Sequence, residues 1–234
     1  MPNPPDNRLL AMLPAADFAQ LAKHLSTVEL RRGETLALPD QKISRVYFPH
    51  SGIVSFIVEL SDGETVQTSM IGRDGVVGAA QALDDKVSLN KIVIQTPGTA
   101  SAIYGDALLE LVRAGNAIRK LIAAHEQFFT ATVQQTAACN AVHSVPARAS
   151  RWLLRMMDLI GTEIPITQEY LAAMIGVRRT SVTSFASQLQ SEGIISYARG
   201  QIHIADAERL RKVTCECHQA VQNNYARLFS MRHD

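Results

Sequence analysis

The sequence predicts an α+β chain in three parts: an N-terminal β-roll, a long connecting helix and a C-terminal winged helix-turn-helix. Three observations carry this. Short apolar and β-branched runs between residues 35 and 104 are punctuated by Gly, Pro and Asp turn signals. From Asn116 to Val142 apolar residues recur at spacings of three and four. The stretch Pro165 to Ile204, PITQEYLAAMIGVRRTSVTSFASQLQSEGIISYARGQIHI, reads as helix, tight turn, second helix and small hairpin. The parts divide as 1–115, 116–143 and 144–234, and 234 residues with 47% hydrophobic content can bury two modest cores.

In chain order, Leu9 to Leu25 reads as a short helical prelude. Arg32-Gly33-Glu34 turns into a strand over Thr35 to Leu38, and Val46 to Phe48 runs into the Pro49-His50-Ser51-Gly52 turn. Ile53 to Leu60 pairs with Glu64 to Ile71 across Asp62-Gly63, which supplies the positive φ of a two-residue hairpin. Lys91 to Gln95 and Thr99 to Tyr104 flank Pro97-Gly98. Strands this short and this regularly spaced fit a sandwich or roll.

The stripe of the connecting helix runs Ile118, Leu121, Ile122, His125, Phe128, Thr132, Gln135, Cys139 and Val142, with Arg119, Lys120, Glu126 and Gln127 off it. A helix this long exceeds what one small domain needs. Pairing with a two-fold mate through Ile118, Leu121, Ile122, His125, Phe128, Thr132, Gln135 and Cys139 is the economical expectation. Packing on its own β-roll is the alternative, and Phe129, on a second side, suits both. Val145-Pro146 ends the helix, and Ala147 to Ile160 opens the last domain with Trp152, Leu153, Met156 and Met157 as core.

In the helix-turn-helix, the Thr167 hydroxyl caps the first helix, and Gln168 and Glu169 suit its positive end. Leu171, Met174 and Ile175 form its apolar stripe, and Gly176 takes positive φ in the turn. The second helix buries Val182, Phe185 and Leu189, leaving Arg179, Thr180, Ser181, Thr183 and Ser184 free. Arginine donates a bidentate pair to guanine, and Ser and Thr hydroxyls serve bases or phosphates. Ile194 to Tyr197 and Gln201 to Ile204 form a wing around Ala198-Arg199-Gly200, with Arg199 placed for a phosphate. The expected DNA contacts are Thr167, Arg178, Arg179, Thr180, Ser181, Thr183, Ser184 and Arg199.

Formal net charge is only +1, so any nucleic-acid signal is local. Arg148, Arg151, Arg155, Arg178, Arg179, Arg199, Arg209 and Arg211 outnumber the acids of the same region. No run approaches a membrane span and the N-terminus lacks a signal-peptide pattern, so a cytoplasmic protein without a membrane partner is expected. The three cysteines, Cys139, Cys215 and Cys217, fit a reducing compartment and exclude a four-cysteine cluster.

A continuous helix from Ala207 to Phe229 would point Cys217 into the core and place Cys215 with His218 on the polar face. Two neighbouring ligands do not complete a site, so neither metal nor cofactor is expected. His24 or His50 as a haem ligand rests on a lone histidine. No acid–base pair in motif spacing, P-loop, nucleophile elbow or metal helix appears, and catalytic residues are expected to be none. An enzyme acting on nucleic acid is the alternative from a different class.

The order ITQEYLAAMIGVRRTSVTSFASQLQSEGIISYARGQIHIAD resembles the helix-turn-helix of the Crp/Fnr superfamily of bacterial transcription regulators, and the likeness extends more weakly over most of the chain. The resemblance implies a homodimeric regulator on a palindromic double-stranded DNA site, contact with RNA polymerase, and a cyclic-nucleotide-binding-like jelly roll. Arg179 matches the family's guanine-reading arginine. Arg178 stands for the usual serine, Thr180 for the glutamate and Ser184 for a second arginine, which points to a different target sequence. In the effector domain the phosphate cassette matches Gly72 to Ala80, with Gly78 at its glycine and Ala79 at its glutamate. The cassette arginine falls among Val87-Ser88-Leu89-Asn90, where there is none. A buried phosphate would lack its cation, so a cyclic nucleotide is not the expected ligand. The alternative is a regulator responsive to a cyclic nucleotide or another small molecule, with Arg73 and Lys91 as remaining cations and the effector site unassigned.

Overall fold

A computed structural model describes residues 6–83 and 87–229, which pack as two compact units. Among the described residues the first comprises 6–56, 70–83, 87–130 and 225–229. Its helical prelude is divided into a 3-10 turn, Leu10–Met12, and helix α1, Ala15–Ala22, because Pro14 cannot continue the first. The Asn7 side chain accepts from the backbone N–H groups of Leu9 and Leu10 at 3.0 and 3.1 Å.

Strands β1 (Ser26–Leu30), β2 (Thr35–Ala37), β3 (Arg45–Pro49), β4 (Ile53–Glu59), β5 (Thr65–Ile71), β6 (Lys91–Thr96) and β7 (Gly98–Tyr104) form the roll, with the short helix α2 (Ala79–Ala82) before β6. One sheet has the order β1-β7-β3 and the other β2-β6-β4-β5. The core between them includes Leu30, Val54, Phe56, Ile92 and Ile94, with Phe129 packed alongside. Gly52 is required at its turn: φ is +81° and a Cβ would stand 2.5 Å from the Thr96 carbonyl oxygen. The β4–β5 turn has three loop residues, not two. Leu60 N–H donates to Glu64 O at 2.8 Å, Gly63 alone takes positive φ, and the Asp62 carboxylate accepts from Glu64 N–H.

Strand β1 and helix α3 are among the elements absent from the sequence expectations. Strand β1 buries only Leu30 firmly, so its pattern, STVEL, does not alternate cleanly. Helix α3, Gly105–Ala114, follows β7 without a capping side chain.

Helix α4, Asn116–Val142, is continuous. Its expected dimer seam is largely occupied within the chain: Ile118, Ile122, His125, Phe128, Thr132 and Cys139 are buried, while Leu121 and Gln135 are half-buried. Phe128 meets Tyr225 and Phe229 edge-on at ring-centroid distances of 5.2 and 6.0 Å. The side of α4 left open carries Ala123, Gln127, Thr130, Gln134, Ala137 and Ala141, at alternating spacings of four and three.

The second unit comprises Ile57–Ser69 and Ala131–Asn224. It contains α5 (Val145–Ile160), β8 (Glu163–Ile164), α6 (Gln168–Ile175), α7 (Arg179–Ser191), β9 (Ile195–Ala198), β10 (Gln201–Ile204), α8 (Ala207–Val213) and most of α9 (Cys217–Phe229), with a sheet ordered β8-β10-β9. Trp152, Leu153 and Met156 are buried as the pattern requires.

The continuous helix expected from Ala207 to Phe229 is broken at Thr214, which is extended with ψ 161°. The break overturns the assignment of Cys215 to a polar face, because it turns Cys215 inward beside Cys217. His218 is also buried, and its Nε2 lies 2.8 Å from Asp158 Oδ2. Among the described residues no helix is long and apolar enough to cross a membrane.

Candidate nucleic-acid interface

The helix-turn-helix is fixed at each joint by a local hydrogen bond. Thr167 accepts from Tyr170 N–H at 3.1 Å, capping α6. At the other end Gly176, with φ +63°, lets Gly176 N–H bond Ala173 O and Val177 N–H bond Ala172 O, the paired bonds of a Schellman ending. The Arg148 guanidinium donates to the Ile175 carbonyl, placing a cation at the negative end of α6.

Helix α7 then buries Val182, Phe185, Ala186 and Leu189. Arg178 occupies its N-cap position in an extended conformation and makes no side-chain cap, so its guanidinium remains outside. Arg178, Arg179, Thr180, Ser181, Thr183 and Ser184 are all exposed. They are not equivalent. The Thr183 hydroxyl has its acceptors within the motif, Gln168 Oε1 at 2.8 Å and Arg179 O at 3.1 Å, and so locks α7 to the first turn of α6. Thr167 is likewise engaged as a cap. That leaves Arg178, Arg179, Thr180, Ser181 and Ser184 as outward donors, and Ser187 continues the Thr180–Ser184 line one turn further. The spacing that places Thr180 and Ser184 on this face also fits Ser187, a residue outside the expected contacts.

The wing is a two-residue hairpin with Ala198 opposite Gln201 and both turn residues at positive φ, Arg199 at +49° and Gly200 at +78°. Both centres left-handed is the type I′ arrangement that strand twist favours. A Cβ on Gly200 would stand 3.4 Å from Thr167 Cγ2, so the wing tip lies against the start of α6 and carries Arg199 beside the motif.

The cations of this region divide sharply. Arg151 and Arg155 are buried and Arg148 is half-buried. Arg209 Nη1 donates to the Glu192 carbonyl at 2.7 Å and Arg211 pairs with Glu208 at 2.5 Å. Of the eight arginines in the sequence tally, only Arg178, Arg179 and Arg199 are exposed with side chains that have no partner among the described residues. A net excess of cations therefore overstates the interface. The candidate interface offers three arginines and a row of hydroxyls.

In the β-roll, the cassette segment is held by the protein itself. Asn7 Nδ2 donates to Gly75 O at 2.9 Å, and Val76 N–H donates to His125 Nε2 at 3.2 Å. A Cβ on Gly75 would stand 2.6 Å from that imidazole nitrogen, which leaves the loop no spare room against α4. Ala79 is fully buried, Arg73 is exposed and Lys91 is half-buried. His50 Nε2 lies 2.8 Å from Ser101 Oγ, and burial lowers the His50 pKa. Its Nδ1 lies 3.4 Å from Thr99 Oγ1, and His24 is exposed.

Two protein-family models match the chain: a Crp-like helix-turn-helix domain over residues 147–213 and a cyclic nucleotide-binding domain over residues 27–114. A curated relative, the CRP-like cAMP-activated global transcriptional regulator of Mycobacterium tuberculosis, is 24% identical over 209 residues, covering 83% of this chain and 91% of that protein. Among solved structures, FixK2 from Bradyrhizobium japonicum aligns at TM-score 0.70 and 15% identity, covering 82% of this chain and 98% of that one. A transcriptional regulator of the crp/fnr family from Eubacterium rectale aligns at TM-score 0.67 and 17% identity, covering 86% and 94%. At these identities the structural likeness establishes the fold.

Proposed function

The chain belongs to the Crp/Fnr family of transcription regulators, with a DNA-binding helix-turn-helix and a cyclic-nucleotide-binding-type domain, and from that premise we propose that it binds a palindromic operator as a homodimer, without a cyclic nucleotide, and leaves the DNA chemically unchanged. The observation that carries the DNA reading is the division of the arginines: three face outward on one side of α7 and the wing, while the rest serve the fold. Arg179 reads a guanine edge, Arg199 and Arg178 hold phosphates, and Thr180, Ser181 and Ser184 contribute hydroxyls.

The dimer seam proposed here is the open side of α4, Ala123, Gln127, Thr130, Gln134, Ala137 and Ala141. Alanines at three of these six positions, Ala123, Ala137 and Ala141, permit close approach of two helices. Two-fold pairing would set the recognition helices about 34 Å apart, one DNA turn. RNA polymerase is the expected protein partner, and the work is cytoplasmic.

Independence from cyclic nucleotides is supported by Ala79, which offers no carboxylate where the family's glutamate stands, and by the exposed position of Arg73. Among the described residues of this roll no arginine is buried to pair with a cyclic phosphate, and an unpaired buried charge is strongly disfavoured. Another small molecule as effector is compatible with the same residues. The test is DNA binding by fluorescence anisotropy on host promoter fragments with and without cyclic AMP. Salt-sensitive, sequence-selective binding that cyclic AMP leaves unchanged supports the proposal. Selectivity that appears only with the nucleotide refutes its independence, and no selectivity in either condition refutes the operator reading.

A further inference from the structure

Cys139 and His143 lie one helical turn apart, at the end of α4 and just beyond it, and they face the break between α8 and α9 that carries Cys215 and Cys217. The four candidate ligand atoms, three sulfurs and one imidazole nitrogen, all lie within 4.8 Å of one another. Cys139 Sγ is 3.6 Å from Cys215 Sγ, and Cys217 Sγ is 3.6 Å from His143 Nδ1. A tetrahedral zinc ion, with Zn–S near 2.3 Å and Zn–N near 2.0 Å, needs ligand edges of about 3.8 Å between sulfurs and about 3.5 Å from sulfur to nitrogen. Both measured edges lie close to these values. An iron–sulfur cluster distributes its ligands over separate irons and holds them further apart than one ion's coordination sphere.

The surroundings complete the case. His143 Nε2 lies 3.3 Å from Glu216 Oε2, so its N–H donates outward and its Nδ1 lone pair faces the sulfurs, the usual carboxylate–histidine–metal relay. Gln135 Nε2 donates to Cys217 Sγ at 3.1 Å. The independent observation is Arg151. It is 5% exposed, its Nη2 donates to Thr136 Oγ1 at 3.1 Å, and its Nε has no hydrogen-bond partner. Among the described residues no carboxylate pairs with it, whereas all three cysteines stand within its electrostatic reach. The guanidinium lies 4.7 Å from the centre of the Trp152 ring, but a ring face is not an anion, and three neutral thiols would leave this buried cation without a counter-charge. One divalent ion held by three thiolates and a neutral imidazole carries a net charge of −1, which Arg151 balances.

We propose that Cys139, Cys215, Cys217 and His143 form a mononuclear zinc site that ties the end of α4 to the α8–α9 break of the DNA-binding unit. Binding releases the three thiol protons to solvent and requires no oxidant. It would make operator affinity depend on metal supply and thiol state, independently of any ligand in the β-roll.

The test uses the full-length protein, purified under reductant and reconstituted as apoprotein with zinc chloride or cobalt(II) chloride. Mass spectrometry of metals should find about one zinc per chain. The cobalt form should show thiolate charge-transfer and tetrahedral d–d bands that one equivalent of zinc bleaches. Cys139→Ser and Cys217→Ser should lose the metal. If they fail to fold, His143→Gln, at a partly exposed position, serves instead, and Glu216→Gln should weaken zinc affinity about tenfold or more. Folded wild-type protein that retains less than about a tenth of an equivalent after reconstitution overturns the proposal. So does an iron–sulfur absorption, a Cys139–Cys215 disulfide formed under reductant, or unchanged zinc in folded Cys217→Ser. These readouts involve no DNA, so they stand or fall separately from the operator reading.

Discussion

Arg199 sits at the first centre of a type I′ turn with φ +49°, a conformation that costs an L-residue with a bulky side chain on the order of 1–2 kcal/mol. Asparagine adopts it readily and Asn-Gly is a favoured sequence for that turn. Arg199→Asn should therefore stabilise the fold by up to about 1 kcal/mol, an increase in Tm of roughly 2–4 °C for a chain of this size. It should also remove one phosphate contact per subunit. Each contact contributes about 0.9 to the slope of log affinity against log salt, so a dimer loses about 1.8. Between 50 and 200 mM salt, a fourfold change, the deficit of the variant relative to wild type should shrink by about 12-fold. Calorimetric melting and anisotropy titration at the two salt concentrations read both effects on one preparation. A stabler protein with a shallower salt slope is expected for every DNA sequence alike. An unchanged slope would refute the phosphate contact, and a lower Tm would refute the strained-turn argument.

Arg179→Ala should lose about 1–3 kcal/mol on the preferred site and relax selectivity at one base pair, measured against a half-site library; an equal proportional loss on every sequence would show that Arg179 reads no base. Arg148→Met removes the guanidinium that holds the Ile175 carbonyl, so chemical denaturation should show a loss of about 1.5–3 kcal/mol while the salt slope of DNA binding stays as in wild type. Ala137→Glu places a charge on the open side of α4, and sedimentation should show monomers with the melting temperature of the subunit fold retained. A dimer of undiminished stability would move the seam elsewhere. By contrast, Phe128→Asp should unfold the chain rather than divide it, because Phe128 is buried among Tyr225 and Phe229.

The winged helix-turn-helix was legible because every level agreed in a short window: cap, apolar period, turn glycine and hairpin lie within forty residues. The long helix was legible as a helix but not in its partners. A periodic stripe says that one face is covered, and α4 is covered by its own β-roll, by Tyr225 and Phe229, and by the cysteine-bearing break, which lie far away in sequence. The surface charge was misjudged for a related reason: counting arginines does not reveal that Arg148 and Arg209 end helices or that Arg151 is buried. The four-residue cluster was missed because an unbroken helix through Thr214 separates Cys215 from Cys217, and His143 belonged to no motif. Its available signals were Cys-x3-His across the end of one helix and Cys-x-Cys on another segment, which only the tertiary fold unites.

Selection of bound duplexes from a fully randomised library, with wild-type protein and Arg179→Ala in parallel, tests the central claim most directly. The wild type should enrich an inverted repeat whose half-site centres lie about one helical turn apart, each half containing a guanine that Arg179→Ala no longer selects. Enrichment of no motif, of a single unrepeated site, or of the same guanine by the variant would contradict it.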